Sequence, residues 1–213
     1  MRNIVCTLLL ASLVFNIQAQ ERNEIGFSLG TSYYMGDYNP NTHFYQPSPA
    51  GGVLFRRNLS DFYSIRLSGL YGFVKGNHNR ENFYLPGETP AFSKSILEVE
   101  AMIEIGFLPF NSEISRYRKF SPYVLTGIGA AIISKDFIPH IPMGIGVKYS
   151  PVNRWTIGLE WRLHKTFNDN IDGYSNVTIK PRSIIHNNDW FAYAGFLVSF
   201  RLVNKGALCP AYE

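Results

Sequence analysis

Apolar residues alternate with polar or small residues along most of the chain beyond residue 23. The clearest example is the stretch 95–108, in which one face carries Leu97, Val99, Ala101, Ile103, Ile105 and Phe107. The other face carries Glu98, Glu100, Met102, Glu104 and Gly106. Because successive side chains of a β-strand point to opposite faces, this pattern predicts strands with one apolar face.

The same alternation predicts eight strands, at residues 24–34, about 50–57, 62–75, 95–108, 122–134, 143–149, 155–164 and 190–202. Most are longer than the roughly 5–6 residues of a soluble strand and suit a tilted bilayer crossing of about 9–11 residues. The connections tend to alternate between short and long, as in barrels with short periplasmic turns and long outer loops. The predicted fold is all-β: an eight-stranded antiparallel up-and-down transmembrane β-barrel of OmpA/OmpX-like architecture, with both termini in the periplasm.

Composition agrees with this fold. Charged residues make up 17% of the chain, below the roughly 25% of soluble domains, and aromatic residues make up 15%. Six aromatic residues lie near predicted strand ends or in the apolar band, as interfacial girdles do: Tyr33, Tyr63, Tyr71, Trp155, Trp161 and Trp190. A soluble barrel or sandwich is the alternative, but the strand lengths and continuous apolar faces favour the membrane. The net charge of +4 is too small and scattered to indicate a nucleic-acid partner.

The N-terminus has the features of a secretory signal peptide. Arg2 precedes an apolar run at 4–17, which is too short for a spanning helix, and a cleavage site follows Ala19. Cys6 lies at the start of the apolar run instead of ending it, which argues against a lipoprotein signal. The predicted organisation is therefore a signal peptide at 1–19, a barrel at 20–203 and a periplasmic tail at 204–213, with the mature protein integral to the outer membrane and in contact with its lipid.

Seven charged residues fall on the predicted inner faces: Arg66, Glu98, Glu100, Glu104, Lys148, Glu160 and Arg162. An eight-stranded barrel is only wide enough for side chains to fill its interior, and a buried charge without a partner costs several kcal/mol. Their near balance of sign therefore favours a structural network of ion pairs over a proton or ion path.

Catalytic and metal chemistry is not predicted. Glu98 and Glu100 share a face, but a filled lumen offers no substrate cleft for acid–base work. His164, expected near the rim, and Ser134 have no spacing that makes a nucleophilic triad. The five histidines are dispersed, and the stretch 168–173 lacks the full calcium-loop spacing. The sequence thus predicts a non-enzymatic protein without a cofactor or metal.

The last strand carries a further pattern, Tyr193-x-Gly195-x-x-Val198-x-Phe200. It resembles the C-terminal signal by which bacterial outer-membrane barrels reach their assembly machinery. That machinery is therefore an implied partner.

Five stretches carry a family resemblance: 24–37, 120–124, 148–151, 161–172 and 189–202. They resemble the PorG-like family of small outer-membrane barrels from Bacteroidetes. The resemblance implies a structural subunit of the type IX secretion system, which tethers a periplasmic ring to the outer membrane through a ring lipoprotein. The alternatives are a stand-alone barrel whose outer loops bind a surface ligand, as an adhesin does, and a small-solute pore.

Cys209 lies in the predicted tail and is the only thiol left after signal-peptide cleavage. The periplasm is oxidising, and an odd cysteine in an exported protein indicates an intermolecular bond or a free thiol. Pro210 disfavours a helix at Cys209 and keeps it in an extended segment. Both outcomes stay open; if a disulfide forms, the resemblance suggests the ring lipoprotein as its partner.

Overall fold

The computed structural model describes residues 23–35, 43–77, 91–112, 119–133, 136–167 and 190–202. Eight antiparallel strands form a closed barrel, in which each strand pairs with the next and the last pairs with the first. The strands are β1 (Asn23–Met35), β2 (Ser48–Asn58), β3 (Tyr63–Asn77), β4 (Ala91–Gly106), β5 (Phe120–Ile133), β6 (Asp136–Tyr149), β7 (Trp155–Thr166) and β8 (Trp190–Arg201). The predicted fold class is confirmed. No helix in the described part of the chain has the length and apolar character to cross a membrane.

Side chains on the outer wall are apolar and exposed. Along β4 and the residue that follows it, the outward apolar series runs from Leu97 to Phe107, with Ser93 and Ser95 beyond it. Ten residues at about 3.4 Å each, tilted by about 35–45°, span roughly 25 Å along the barrel axis. That height matches the apolar band of outer-membrane barrels. Closure of the barrel leaves no strand edge, so the wall can be apolar without exposing unpaired backbone groups.

The ends of the described chain, Asn23 and Leu202, lie at the same end of the barrel as the β2–β3 and β6–β7 turns, here called the turn end. The opposite end is called the loop end; the connection between β5 and β6 there is only residues 134–135, so the predicted alternation of short and long connections does not hold throughout. The turn after β2 is fixed by Ser60, whose Oγ accepts hydrogen bonds from the backbone N–H groups of Phe62 (3.2 Å) and Tyr63 (3.0 Å). The chain after β4 folds beneath the lumen, where the Phe110 N–H donates to the Asp61 carbonyl at 2.9 Å. Phe110 is buried and closes the lumen at this end.

Strand β6 corrects one prediction, because it begins at Asp136, whereas the predicted strands 122–134 and 143–149 leave residues 136–140 as a short loop. The strand contains Pro139 and Pro142, although proline lacks the N–H group that a central strand uses. In the structure the register is the same on both sides of the prolines, with Thr126 opposite Met143 and Ala131 opposite Ile138, and Gly129 lies opposite His140 between them. The longer strand brings His140 into the lumen, where it is fully buried.

The predicted girdle position of Tyr33 is also wrong, because this side chain is completely buried. Tyr33 belongs to the outward face of β1 and lies opposite Ala192 of β8. The Trp161 indole N–H donates to the Tyr33 hydroxyl at 2.9 Å, and the Phe44 ring lies 4.9 Å from the Tyr33 ring. The small Ala192 leaves room for aromatic side chains to meet over the outer wall.

Several expectations lie outside the described residues. These are the signal peptide, Ser134, the stretch 168–173, Cys209 and the tail 204–213.

Candidate functional site

The lumen is the site that the sequence predicted, and all seven predicted charged residues lie buried inside it. Glu24, Arg56, Arg201, His140 and His164 are buried there as well. The buried charged residues in the described part of the chain comprise five carboxylates and five Arg or Lys side chains. The lumen is therefore electrically balanced when both histidines are neutral.

Glu104 is the centre of the charge network near the turn end. Its Oε1 accepts a hydrogen bond from Arg56 Nε at 3.0 Å and lies 3.2 Å from Arg66 Nη1. Its Oε2 lies 3.5 Å from Lys148 Nζ. One fully buried carboxylate is thus surrounded by three cations from three different strands.

Two neighbouring carboxylates complete the pairing of these cations. Glu24 accepts from Arg56 Nη1 at 2.9 Å. Glu160 binds Arg66 through two hydrogen bonds, of 2.8 and 2.9 Å, and accepts from the Tyr123 hydroxyl at 2.6 Å. Two parallel hydrogen bonds between a guanidinium and a carboxylate are strong and fix the relative orientation of the two side chains. The network cross-links strands that do not pair with each other.

A second cluster lies further toward the loop end of the barrel, around Glu98 and Glu100 of β4. Arg162 of β7 binds Glu100 Oε2 closely and lies 3.8 Å from Glu98 Oε1. Glu100 Oε1 faces two imidazoles, 3.0 Å from His164 Nε2 and 3.3 Å from His140 Nε2. Ligand atoms of the two glutamates and two histidines lie within 4.8 Å of one another, the one metal-compatible group among the described residues. The expectation that no histidines come together was wrong.

An apolar plug covers the loop end of the lumen. Its buried members come from β1, β3, β4, β5, β6 and β8 and are Tyr34, Val74, Ile96, Ala131, Ile133, Ile138 and Phe191. Paired charges thus fill the barrel below a layer of packed apolar side chains. A groove of about 440 Å³ is found on the outer wall, beside residues such as Ile103, Met143 and Trp161, and its lining is apolar. It offers space for a lipid chain but no convergent polar groups for catalysis.

Sequence reasoning missed five members of the lumen network for identifiable reasons. Glu24 and Arg201 lie near strand ends, where a charge is commonly solvated. Arg56 precedes Arg57, and only the alternation with Phe55 shows which of the two points inward. His140 was assigned to a loop and His164 to the rim. Their pairing depends on strand register across the barrel, which one strand's sequence does not encode.

The four residues of the assembly pattern divide between the two faces of β8. Tyr193 and Gly195 are buried on the inner face, and a Cβ on Gly195 would clash with the Tyr193 hydroxyl. Val198 and Phe200 belong to the outer face, and the Phe200 ring lies 5.1 Å from the Trp155 ring. The glycine provides the space that the inward tyrosine occupies.

This closed antiparallel architecture, with an apolar wall and a packed polar lumen, is that of the small outer-membrane β-barrels. The chain belongs to the family described as Domain of unknown function (DUF6089), whose model matches residues 2–211. No curated protein sequence matches it.

Solved structures with a similar fold include Neisserial surface protein A, with a TM-score of 0.50 and 12% identity over 84% of this chain and 97% of that one. The attachment invasion locus protein Ail of Yersinia pestis, solved with the heparin analogue sucrose octasulfate, has a TM-score of 0.46 and 12% identity over 85% of this chain and 100% of that one. OprG of Pseudomonas aeruginosa has a TM-score of 0.42 and 9% identity, with 88% and 100% covered. At such low identity the similarity concerns the fold alone.

Proposed function

We propose that this protein is a non-enzymatic, integral outer-membrane barrel that serves as a structural subunit of the type IX secretion system and anchors its periplasmic ring. The observation that carries the proposal is the filled lumen, in which ion pairs occupy the interior below an apolar plug. A filled lumen favours a role for the outer wall and the two rims over a solute pore. Membrane insertion is supported by the exposed apolar wall, whose height along β4 matches the apolar band of outer-membrane barrels.

The ring-anchoring part of the proposal rests on the family resemblance and on where the resembling segments lie. The stretches 120–124 and 148–151 meet at the turn end, where the Ser150 N–H donates to the Lys119 carbonyl at 2.8 Å. Ser121 Oγ donates to the Leu108 carbonyl at 2.7 Å in the same region. With the turn end in the periplasm, these segments form the rim that a periplasmic partner would meet.

The turn-end rim also exposes apolar side chains, including Leu59 and Val152. Exposed apolar residues at the centre of a patch favour protein contact, because their burial removes apolar surface from water. Val152 lies in the turn between β6 and β7 and is 62% exposed. Substitution there disturbs the surface without touching the lumen.

We therefore expect Val152→Asp to reduce, by several-fold, the ring lipoprotein recovered with the barrel from chemically crosslinked membranes. The matched control is Phe137→Asp near the opposite end of β6, where the side chain is 66% exposed. Phe137→Asp should leave recovery unchanged. Recovered partners are measured by quantitative mass spectrometry, with barrel amounts equalised. Equal recovery from both variants and the unaltered protein, or absence of the ring lipoprotein from all three, would contradict ring anchoring at this rim.

Cys209 provides a separate test of how the partner is held. If the tail forms a disulfide with the ring lipoprotein, membranes prepared with a thiol-blocking reagent should contain a heavier species that collapses to the monomer on reduction. Cys209→Ser should remove that species while the barrel stays folded. A monomer band alone in the unaltered protein would show that Cys209 is a free thiol, and ring anchoring would then rest on non-covalent contacts.

A further inference from the structure

The second cluster, around Glu98 and Glu100 of β4, contains a buried carboxylate with no hydrogen bond to compensate its burial. Glu98 is 1% exposed, and neither of its oxygens accepts a hydrogen bond from the described residues. Its neighbours across the strands are Leu70 and Ala131, and its ion-pair partner Arg162 lies 3.8 Å away. Burial of a carboxylate with so little compensation is costly, so a bound cation would relieve it.

The orientation of His164 gives a second, independent observation. Its Nδ1 lies 3.3 Å from the Phe191 carbonyl oxygen, which can only accept, so Nδ1 carries the hydrogen. In the neutral ring the lone pair is then on Nε2, which lies 3.0 Å from Glu100 Oε1 without the alignment of a hydrogen bond. Two acceptor atoms at this separation require a positive species between them. A backbone carbonyl that fixes the tautomer in this way is a frequent partner of metal-binding histidines.

The His140 Nε2 to Glu100 Oε1 contact of 3.3 Å is a hydrogen bond, and the distances within the cluster are also close to those between ligands of one metal ion. Ligand bonds of about 2.0–2.1 Å in a tetrahedral zinc site separate the ligand atoms by roughly 3.3–3.4 Å. Glu100 Oε1 lies 3.0 Å from His164 Nε2 and 3.3 Å from His140 Nε2, and His164 Nε2 lies 3.8 Å from Glu98 Oε1. Stacking of the His164 ring on Phe191, with centroids 4.2 Å apart, holds one of these ligands in place.

Gly129 of β5 creates the space for His140. It pairs with both Glu100 and His140 in the barrel wall. A Cβ on Gly129 would collide with His140 Nε2 and would lie 3.0 Å from Glu100 Cγ. The absence of a side chain at this position therefore lets the imidazole nitrogen approach the carboxylate.

We propose that this cluster is a binding site for a divalent transition-metal cation such as Zn²⁺, whose ligands are Glu98, Glu100, His140 and His164. Two imidazole nitrogens and two carboxylate oxygens are a donor set that such cations accept. Arg162 binds the outer oxygen Oε2 of Glu100 and leaves Oε1 for the metal. The two carboxylates and this one guanidinium carry a net charge of −1, so the cluster still attracts a cation. The bound ion would tie β4 to β6 and β7 across the lumen.

The test is metal content and melting temperature of the mature protein, refolded into detergent without a polyhistidine tag. Because the apolar plug covers the site, Zn²⁺ is supplied during refolding, and loosely bound metal is then removed with a chelator. We expect one Zn²⁺ per barrel and a higher melting temperature than after refolding with chelator, since a ligand that binds only the folded state stabilises it. The control His43→Ala removes a histidine outside the lumen and should retain both effects.

Glu98→Gln is the decisive variant, because Glu98 has no hydrogen bond to lose and the barrel should still fold, as judged by heat-modifiable migration in gels. Loss of an outer-shell partner alone weakens metal sites by about 10–100-fold, so loss of this direct ligand should weaken Zn²⁺ binding by at least roughly 100-fold. Gly129→Ala should also lower Zn²⁺ content by displacing His140. Absence of Zn²⁺ from the unaltered protein, or equal Zn²⁺ content in folded Glu98→Gln, would overturn the proposal and leave a proton as the shared positive species.

Discussion

Glu104→Gln is expected to lower the free energy of unfolding by about 3–5 kcal/mol, the cost of breaking a buried ion pair on one side. The substitution keeps the shape of the side chain but removes the charge that Arg56, Arg66 and Lys148 share. The amide N–H₂ group of the glutamine is itself a donor, and it would face the donor groups of these three cations without an acceptor. The effect is measured by urea titration of the barrel in lipid vesicles, where the midpoint shifts and the slope is retained.

A compensating variant separates charge from packing. Among these three cations, Arg56 keeps Glu24 and Arg66 keeps Glu160 when Glu104 is lost. Lys148 has Glu104 as its ion-pair partner and otherwise lies near the rings of Phe110 and Tyr123. The double variant Glu104→Gln/Lys148→Met should therefore be more stable than Glu104→Gln, with a coupling energy of about 0.5–3 kcal/mol. A Glu104→Gln barrel within about 0.5 kcal/mol of the unaltered protein would mean that water compensates the lumen charges.

Ile103→Arg is the second substitution with a large expected effect, because Ile103 is 52% exposed on the outer wall near the middle of the apolar band of β4. A cationic side chain at the bilayer midplane destabilises a barrel by about 2–4 kcal/mol. On the surface of a soluble protein the same change would alter stability by only about 0.5 kcal/mol. Unfolding must be measured in bilayers rather than in detergent, since the effect comes from hydrocarbon.

Phe107→Arg is the matched control, because Phe107 is 64% exposed and lies at the end of the same band. A charge close to the interface costs only about 0–1 kcal/mol. The expected result is therefore that the loss of stability depends steeply on depth, although both residues belong to the same outward apolar band. Small and equal effects at both positions would argue for a water-soluble barrel.

The alternation of apolar and polar residues was sufficient to predict the strand count and most strand faces. Alternation in β4 assigned Ile103 outward and Glu104 inward, and the structure has the same assignment. This works because side-chain direction in a strand is a local property with a period of two residues, and because a barrel in lipid exaggerates the contrast between its faces. The filled, charge-balanced lumen also followed, since eight strands enclose space for side chains and little else.

Which inward residues meet depends on the folded barrel and could not be predicted from the alternation. Glu98 and Glu100 come from β4, His140 from β6 and His164 from β7, and their convergence depends on register across strands that do not all pair directly. The alternation predicted the sixth strand only from residue 143, whereas β6 begins at Asp136 and so includes His140. Tyr33 shows the same limit on the outer wall, where its burial depends on Trp161 across the small Ala192. Strand faces are encoded residue by residue, whereas a cluster is created by the register and closure of the whole barrel.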